Sequence, residues 1–136
     1  YISLEYVLQR YGVLTEVTYP VTAITFKQSR MIINNLGTFT YHNLKAELYT
    51  GFSFHEYMLI PFAQATKSKA LFDYLFMRTR KIVGSQLGEN LAQDLRLNLE
   101  DFTKEEQDEF VRYGDMSRSK EFNYTVADLR KTEWQH

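Results

Sequence analysis

The sequence predicts an α+β fold, in which one short helix is followed by a run of strands and then by a run of helices. Between Val21 and Ala63 the chain is rich in β-branched and aromatic residues that alternate with polar ones, which favours strands. From Thr66 onward the apolar residues recur every three to four positions, which favours helices. Because strands and helices are grouped rather than interleaved, we expect an N-terminal helix, a sheet of four to five strands and then three to four helices.

The first helix is predicted from Ser3 to Tyr11. Ser3 is a suitable N-cap, and Glu5 in the first turn meets the positive end of the helix dipole. Gly12 is placed to end the helix in a left-handed turn. The predicted apolar face consists of Leu4, Val7, Leu8 and Tyr11.

Alternating segments with short connections predict a mainly antiparallel sheet, because helical crossovers do not fit between them. Asn35-Leu36-Gly37 has the residue types of a turn, and Gly51 is read as a bulge. Pro61 indicates that the last strand is an edge strand or ends early. The predicted strands are Val21–Phe26, Arg30–Asn34, Thr38–His42, Leu48–Phe54 and Tyr57–Ala63.

Four later features predict the remaining helices. Thr66 caps a helix that reaches Arg80, and Ser85–Arg96 follows with leucines spaced four apart. Thr103-Lys104-Glu105-Glu106 is a capping box, and Gly114 is read as the end of that helix. The last helix is expected from Ser117 to Lys131. The residues expected in the core are Leu8, Ile24, Phe39, Tyr41, Leu71 and Leu75.

The composition indicates one globular domain over residues 1–136. Of these residues, 44% are hydrophobic, and none is cysteine, which excludes disulfides, thiolate catalysis and cysteine-based zinc sites. No apolar run approaches the roughly 18 residues of a membrane span, so we expect a soluble, cytoplasmic protein with no membrane partner. The chain begins at Tyr1 rather than Met, and we expect it to be part of a longer protein.

The net charge of −1 conceals two halves of opposite sign. Residues 1–82 hold nine Lys and Arg against five Asp and Glu, whereas residues 83–136 hold seven against twelve. Two interpretations remain open: a solvated acidic C-terminal half, or a basic N-terminal face for nucleic acid or an acidic partner. The candidate binding residues are Lys27, Arg30, His42, Lys45, Lys69, Arg78, Arg80 and Lys81.

Aromatic residues are interleaved with these cations between Phe26 and Tyr49. If exposed, they are suited to stack on bases beside a phosphate backbone; the alternative is that Phe26, Phe39 and Tyr41 are core residues on one sheet face.

The motifs of common catalytic sites are absent from the sequence. Its histidines, at positions 42, 55 and 136, lack the spacing of a helical zinc site, and there is neither a phosphate loop nor a Gly-x-Ser-x-Gly motif. The acids of the strand region, Glu47 and Glu56, are not followed by lysine two residues later, as a metal-dependent nuclease core requires. We therefore expect no catalytic residue, cofactor or metal; the alternative is a degenerate or unrecognised nucleic-acid-processing enzyme.

Five blocks in residues 1–75 resemble, in order, the C-terminal domain of AbiEi-type antitoxins of abortive-infection systems. The chain departs from that family at Lys67-Ser68, where Pro-Glu is usual, and little matches beyond residue 81. The blocks are Tyr1-Ile2-Ser3-Leu4-Glu5 with Leu8 and Tyr11-Gly12, then Val21–Thr25 with Ser29-Arg30, then Leu36–Lys45, Leu48–Phe52 and Ala65–Leu75.

The resemblance implies an antitoxin and transcriptional regulator that is not an enzyme. Such proteins oppose a nucleotidyltransferase-like toxin and repress their own operon through an N-terminal winged helix. That winged helix is not part of this sequence, so the resemblance implies that this domain supports DNA binding by a module that precedes it.

Overall fold

The computed structural model describes residues 1–15, 20–35, 37–79 and 91–134. Within these ranges an N-terminal helix is followed by two small sheets and then by helices, which confirms the α+β prediction. None of the described helices is long and apolar enough to cross a membrane. The elements are α1 (Leu4–Arg10), β1 (Val21–Thr25), β2 (Arg30–Asn34), β3 (Gly37–Asn43), a 3₁₀ turn (Ala46–Leu48), β4 (Phe52–Tyr57), β5 (Ile60–Ala65), α2 (Lys67–Thr79), α3 (Leu91–Asp94), α4 (Lys104–Ser117) and α5 (Lys120–Thr132).

The strands form a three-stranded sheet in the order β1-β3-β2 and a two-stranded sheet of β4 and β5. The pairs β2–β3 and β4–β5 are antiparallel, as expected for short connections. The pair β1–β3 is parallel, because β2 runs back along the outer side of β3 before the chain returns.

Residues Tyr1–Ser3, the linking segment, lie between the two sheets. The Ile2 amide donates to Ala63 O at 2.9 Å, and the Ala65 amide donates to Ile2 O at 2.8 Å. On its other side the Ser3 amide donates to Thr22 O at 3.0 Å. The order across the molecule is therefore β2, β3, β1, linking segment, β5, β4, and β2 and β4 are the outer edges.

Helix α1 ends as predicted and begins directly after Ser3, its predicted N-cap residue. Gly12 has a φ of +75°, and the Gly12 and Val13 amides donate to Gln9 O and Leu8 O in a Schellman arrangement. Leu4, Val7 and Leu8 are buried, as the apolar spacing predicts, whereas Tyr11 is exposed.

Ser3 holds the N-cap position of α1 as predicted, but its side chain makes no capping hydrogen bond. Its hydroxyl donates instead to Asp73 Oδ2 at 2.7 Å. The cap is supplied from β1: Thr22 Oγ1 accepts the Tyr6 amide at 3.0 Å and donates to Ser3 O at 2.6 Å. The Tyr6 amide in the first turn of α1 is thus bonded by Thr22, which is distant in sequence, and not by Ser3, which the local sequence predicts.

The predicted strands Leu48–Phe54 and Tyr57–Ala63 are each displaced toward the C-terminus. Leu48 lies in the 3₁₀ turn, and the two strands begin at Phe52 and Ile60. Gly51 is not a bulge; it precedes β4 with a φ of +79°, and a Cβ there would lie 2.7 Å from Lys69 Cγ. Pro61 lies in β5 of the two-stranded sheet, and the linking segment bonds to Ala63 and Ala65 rather than to Pro61. The edge prediction is therefore confirmed at the proline, whereas an early end of the strand is wrong, because β5 continues to Ala65.

Helix α2 is buried on almost every side. Thr66 caps it as predicted, accepting the Lys69 amide at 3.1 Å. The sequence predicts an apolar stripe of Ala70, Leu71, Tyr74, Leu75 and Met77, of which all but the half-buried Met77 are buried. Because α1, α4 and α5 all pack against this helix, other residues are buried as well: Ser68, Lys69, Phe72, Asp73, Phe76 and Thr79. An amphipathic pattern therefore underestimates how central α2 is.

The C-terminal helices confirm the capping box and correct one end. Thr103 Oγ1 accepts the Glu106 amide at 3.1 Å, and Glu106 Oε1 accepts the Thr103 amide at 2.9 Å. Gly114 does not end α4, which continues to Ser117; a Cβ at Gly114 would lie 3.0 Å from the Phe122 ring, so the glycine allows α4 and α5 to approach closely.

Two further predictions for this half differ in their bounds. The last helix begins after Ser119, whose hydroxyl accepts the Phe122 amide, rather than at Ser117. Of the predicted helix Ser85–Arg96, the described part is helical at Leu91–Asp94, and positions 85–90 lie outside the described residues.

Four of the six expected core residues are buried: Leu8, Ile24, Leu71 and Leu75. Phe39 and Tyr41 are only half-buried and do not join the core cluster, so their prediction was wrong. Helix α1 packs on β1, and β3 is the next strand of the sheet, farther from the helix. Neither face of β3 is therefore fully covered.

Candidate functional site

Four of the predicted binding residues lie at one end of the three-stranded sheet. Lys27 follows β1, Arg30 begins β2, and His42 and Lys45 are at and after the end of β3. The strand register places these ends together, because Arg30 pairs with Tyr41, and Thr25 pairs with Asn43. All four side chains are exposed, and we call them the basic sheet end.

The connection that carries Lys27 is held by Asn43. The Asn43 side-chain amide donates to Lys27 O at 2.6 Å, and its backbone amide donates to Ser29 Oγ at 2.9 Å. The loop between β1 and β2 is thereby fixed to the end of β3, which fixes where the lysine projects.

Aromatic rings accompany these cations. The Arg30 guanidinium lies 5.0 Å from the centre of the Tyr41 ring, a cation–π distance. Phe26 is 54% exposed and meets Tyr49 edge-on at 5.0 Å between ring centres. Of the two interpretations of these aromatics, the core interpretation is therefore wrong for Phe26.

Lys45 connects the basic sheet end to the C-terminal helices. Its Nζ donates to Ser117 O at 3.0 Å, where a cation is favoured by the carbonyl end of α4. Arg118, the next residue, is exposed, and sequence reasoning missed it as a neighbour. No local signal connects residues 45 and 117, so this contact was not predictable from spacing.

The other predicted cations do not join this group in the described structure. Arg78 is exposed near the end of α2 and donates from Nη2 to Tyr74 Oη of the same helix at 2.7 Å. Arg80 and Lys81 lie outside the described residues.

Lys69 was predicted as a surface cation, and that prediction was wrong. Its side chain is 0% exposed, and its Nζ lies 2.5 Å from Asp73 Oδ1 and 2.6 Å from Tyr1 Oη. Asp73 Oδ2 accepts the hydroxyls of Ser3 at 2.7 Å and Tyr1 at 2.9 Å. We call Tyr1, Ser3, Lys69 and Asp73 the Lys69 cluster.

Burial dominates the electrostatics of the Lys69 cluster. Desolvation lowers the pKa of Lys69 and raises the pKa of Asp73, while the attraction between the two charges opposes both shifts. Burial and the adjacent Asp73 carboxylate also raise the pKa of the Tyr1 phenol. The cluster joins the linking segment to α2 through charge-assisted hydrogen bonds.

The Lys69 cluster has the residue types of a catalytic site but lacks access. The rings of Tyr1, Phe72 and Tyr113 lie 5.2 to 5.6 Å from Lys69 Nζ, and Gly51 closes over its aliphatic stem. An ion pair so enclosed offers no position for a substrate, and we assign it a structural role.

The carboxylates that a nuclease-like site would require are dispersed in the described structure. Glu47 lies in the 3₁₀ turn and Glu56 in β4, and both are exposed. His55 is stacked on Phe62, away from the basic sheet end. In the parts of the chain that the structure describes, no three His, Cys, Asp or Glu side chains are grouped so as to hold a metal ion.

Comparisons of the chain with protein-family models, with curated proteins and with solved structures give no match. The resemblance to AbiEi-type antitoxins therefore rests on the five sequence blocks in residues 1–75.

Proposed function

We propose that this chain is the recognition domain of an AbiEi-type antitoxin and regulator, and that its basic sheet end contacts the phosphate backbone of operator DNA. The observation that carries the proposal is the grouping of Lys27, Arg30, His42 and Lys45 on exposed positions at one end of one sheet. Among the described residues, no Asp or Glu forms an ion pair with these four side chains.

The geometry suits backbone contacts better than base reading. Cations that project from strand ends and loops bind phosphates and set the orientation of a protein on the duplex, but they carry no sequence information. In this proposal an N-terminal winged helix reads the bases, and the present domain adds phosphate contacts.

The enzyme alternative has less support. Among the described residues, the fully buried carboxylate that pairs with a lysine is Asp73, and it is enclosed with Lys69. Exposed acids such as Glu47 and Glu56 lie on separate elements. The exposed cations of the basic sheet end are available for recognition. A hydrolytic site would have to use either the enclosed Lys69–Asp73 pair or acids that lie on separate elements.

Salt-dependent binding tests the DNA part of the proposal. The affinity for duplex DNA should fall steeply with salt, and Arg30→Ala or Lys27→Ala should each reduce the log–log slope by about one unit. Lys104→Ala is the matched control, because Lys104 is an exposed cation on α4 that pairs with Asp108. If Arg30→Ala, Lys27→Ala and Lys104→Ala all behave alike, the basic sheet end does not contact DNA.

Co-expression tests the antitoxin part. We expect that a nucleotidyltransferase encoded beside this protein arrests growth when expressed alone, and that the full-length protein relieves the arrest in the cytoplasm. Failure of the full-length protein to restore growth would contradict the antitoxin role while leaving DNA binding to its own test.

A further inference from the structure

Strand β2 forms an open edge of the three-stranded sheet. In the described structure it pairs only with β3, and its other side faces solvent. Met31 is 62% exposed and Ile33 is 71% exposed. Water satisfies the outward backbone groups of such an edge, and a second strand can replace that water, so the edge is suited to an extended partner.

The register shows which backbone groups face outward. Asn34 and Gly37 are the last pair before a two-residue connection, which is a hydrogen-bonded pair in such hairpins. Hydrogen-bonded and non-bonded pairs alternate along an antiparallel ladder. Arg30, Ile32 and Asn34 therefore direct their amide and carbonyl groups toward β3, and Met31 and Ile33 direct theirs outward.

The centre of the edge lacks the usual protection against pairing, because the one charge of β2 is at its first residue, Arg30. Proteins block open edges with proline, inward charges or bulges, and the three central residues of β2 are Met31, Ile32 and Ile33. The apolar residues at this open edge are therefore compatible with a second strand.

We propose that two copies of this chain associate by antiparallel pairing of β2 with β2 about a two-fold axis at Ile32. In this register Met31 lies opposite Ile33 of the second copy, and each of these amides donates to the facing carbonyl. Ile32 then faces its own equivalent at the non-bonded centre. This register uses the amide and carbonyl groups of Met31 and Ile33, which are the groups that face outward. An interface between two identical copies about a two-fold axis must be self-complementary, and this register is.

The charges are compatible with the same register. Arg30 lies opposite Asn34 of the second copy, so no like charges face each other directly. The two Arg30 residues are four positions apart, about 13 Å along the strands, which exceeds the screening length of about 8 Å at physiological salt. The proposal does not depend on DNA binding or on a toxin.

A short strand interface buries little surface compared with the roughly 1,200–2,000 Å² of stable complexes. We therefore expect a dimer that dissociates on dilution. Sedimentation of the protein from low micromolar to near-millimolar concentration should show a monomer–dimer equilibrium. Ile33→Lys should shift it to monomer, because it places two lysines in the interface.

Leu59→Lys is the matched control. Leu59 is 85% exposed on the β4–β5 turn, beside Met58 and Ile60, and it is the alternative apolar contact surface. If Leu59→Lys abolishes association and Ile33→Lys does not, the hairpin tip is the interface and the β2 proposal is wrong.

Cross-linking tests the register directly, because the chain has no cysteine. At a non-bonded antiparallel pair the Cα atoms lie about 4.5 Å apart, within the range of about 4.4–6.8 Å that disulfides accept. Ile32→Cys should therefore form an intermolecular disulfide faster than Met58→Cys, an exposed residue of the hairpin turn. Equal cross-linking rates, or a monomer at every concentration, would overturn the proposal.

Discussion

At the scale of single residues, Lys69 shows how one side chain changes role when its surroundings are known. In the sequence it is one of several cations near a helix start. In the structure it is enclosed, since α2 is surrounded by other helices, and its charge is balanced by the Asp73 carboxylate, with the hydroxyl of Tyr1 as a further partner. Removing one member of such a pair leaves the other charged and desolvated.

We predict that Asp73→Asn lowers the free energy of unfolding by about 3–5 kcal/mol, because it leaves the Lys69 charge buried without its carboxylate. The double variant Lys69→Met/Asp73→Asn should be more stable than Asp73→Asn alone, since no buried charge remains. Denaturant unfolding of the two single variants and the double variant measures the coupling.

The exposed pair Lys104–Asp108 supplies the control for that cycle. It has the same i, i+4 spacing, but its side chains are 72% and 54% exposed. Its coupling should be no more than about 0.5 kcal/mol. Equal coupling energies for the two pairs would show that burial does not strengthen the interaction between Lys69 and Asp73.

At the scale of elements, helix starts show which interactions are local. The α4 capping box lies within four consecutive residues, and the sequence predicts it correctly. Ser3 has an equally suitable residue type, but Asp73 takes its hydroxyl and Thr22 replaces it at α1. The two helix starts differ because the Ser3 hydroxyl is bonded by Asp73, which is 70 residues away in sequence.

A pH-dependent stability is predicted for α4. Partial burial raises the pKa of Glu106, but the Thr103 amide and the Lys67 ammonium outweigh it and lower that pKa below its ordinary value of 4.5. A carboxylate with a lowered pKa in the fold stabilises it above the ordinary value, and that contribution is lost as the pH falls through the folded-state pKa. The stability difference between wild type and Glu106→Gln should therefore be present at neutral pH and vanish in acid.

Glu105→Gln is the control for this measurement. Glu105 shares the first turn of α4 but is exposed and takes no part in the capping box. Its variant should show a smaller effect, confined to the helix dipole. A Glu106→Gln difference that persists unchanged in acid would show that the charge is not what the capping box contributes.

Some elements with local signals were predictable to within one or two residues, whereas the bounds of β4 and β5 lie two to four residues from the predicted ones. Strand β2 has the predicted bounds, and α1 ends at the predicted glycine, because alternation and turn chemistry act over a few residues. The parallel pairing of β1 with β3 and the burial of Lys69 were not predictable. Both depend on packing between segments far apart in sequence.

At the scale of the whole molecule, the linking segment holds the two sheets together. We predict that Ile2→Pro frees the β4–β5 sheet, because proline lacks the amide that donates to Ala63 O. The Ala65 amide, which donates to Ile2 O, should then exchange its hydrogen much faster.

Ile2→Val keeps the amide and should leave that exchange rate nearly unchanged. Slow exchange at Ala65 in both variants would mean that β5 is held to the fold by other contacts.

The candidate site was predictable only in part, because it too depends on contacts between segments far apart in sequence. The sequence identifies Lys27, Arg30, His42 and Lys45 as cations or titratable groups near strand ends, but only the register brings them together. The contact between Lys45 and Ser117 O, which brings the C-terminal end of α4 to Lys45, spans 72 residues.

The position of the linking segment also has a consequence for biosynthesis. Ile2 leaves the ribosome about sixty residues before its partners in β5, and at about 5–20 residues per second the segment remains unpaired for several seconds. During that interval its side of β1 stays open to other strands. The seam between the two sheets therefore closes only after the whole strand region has been synthesised, and any chaperone that binds the nascent chain before then would find this segment exposed.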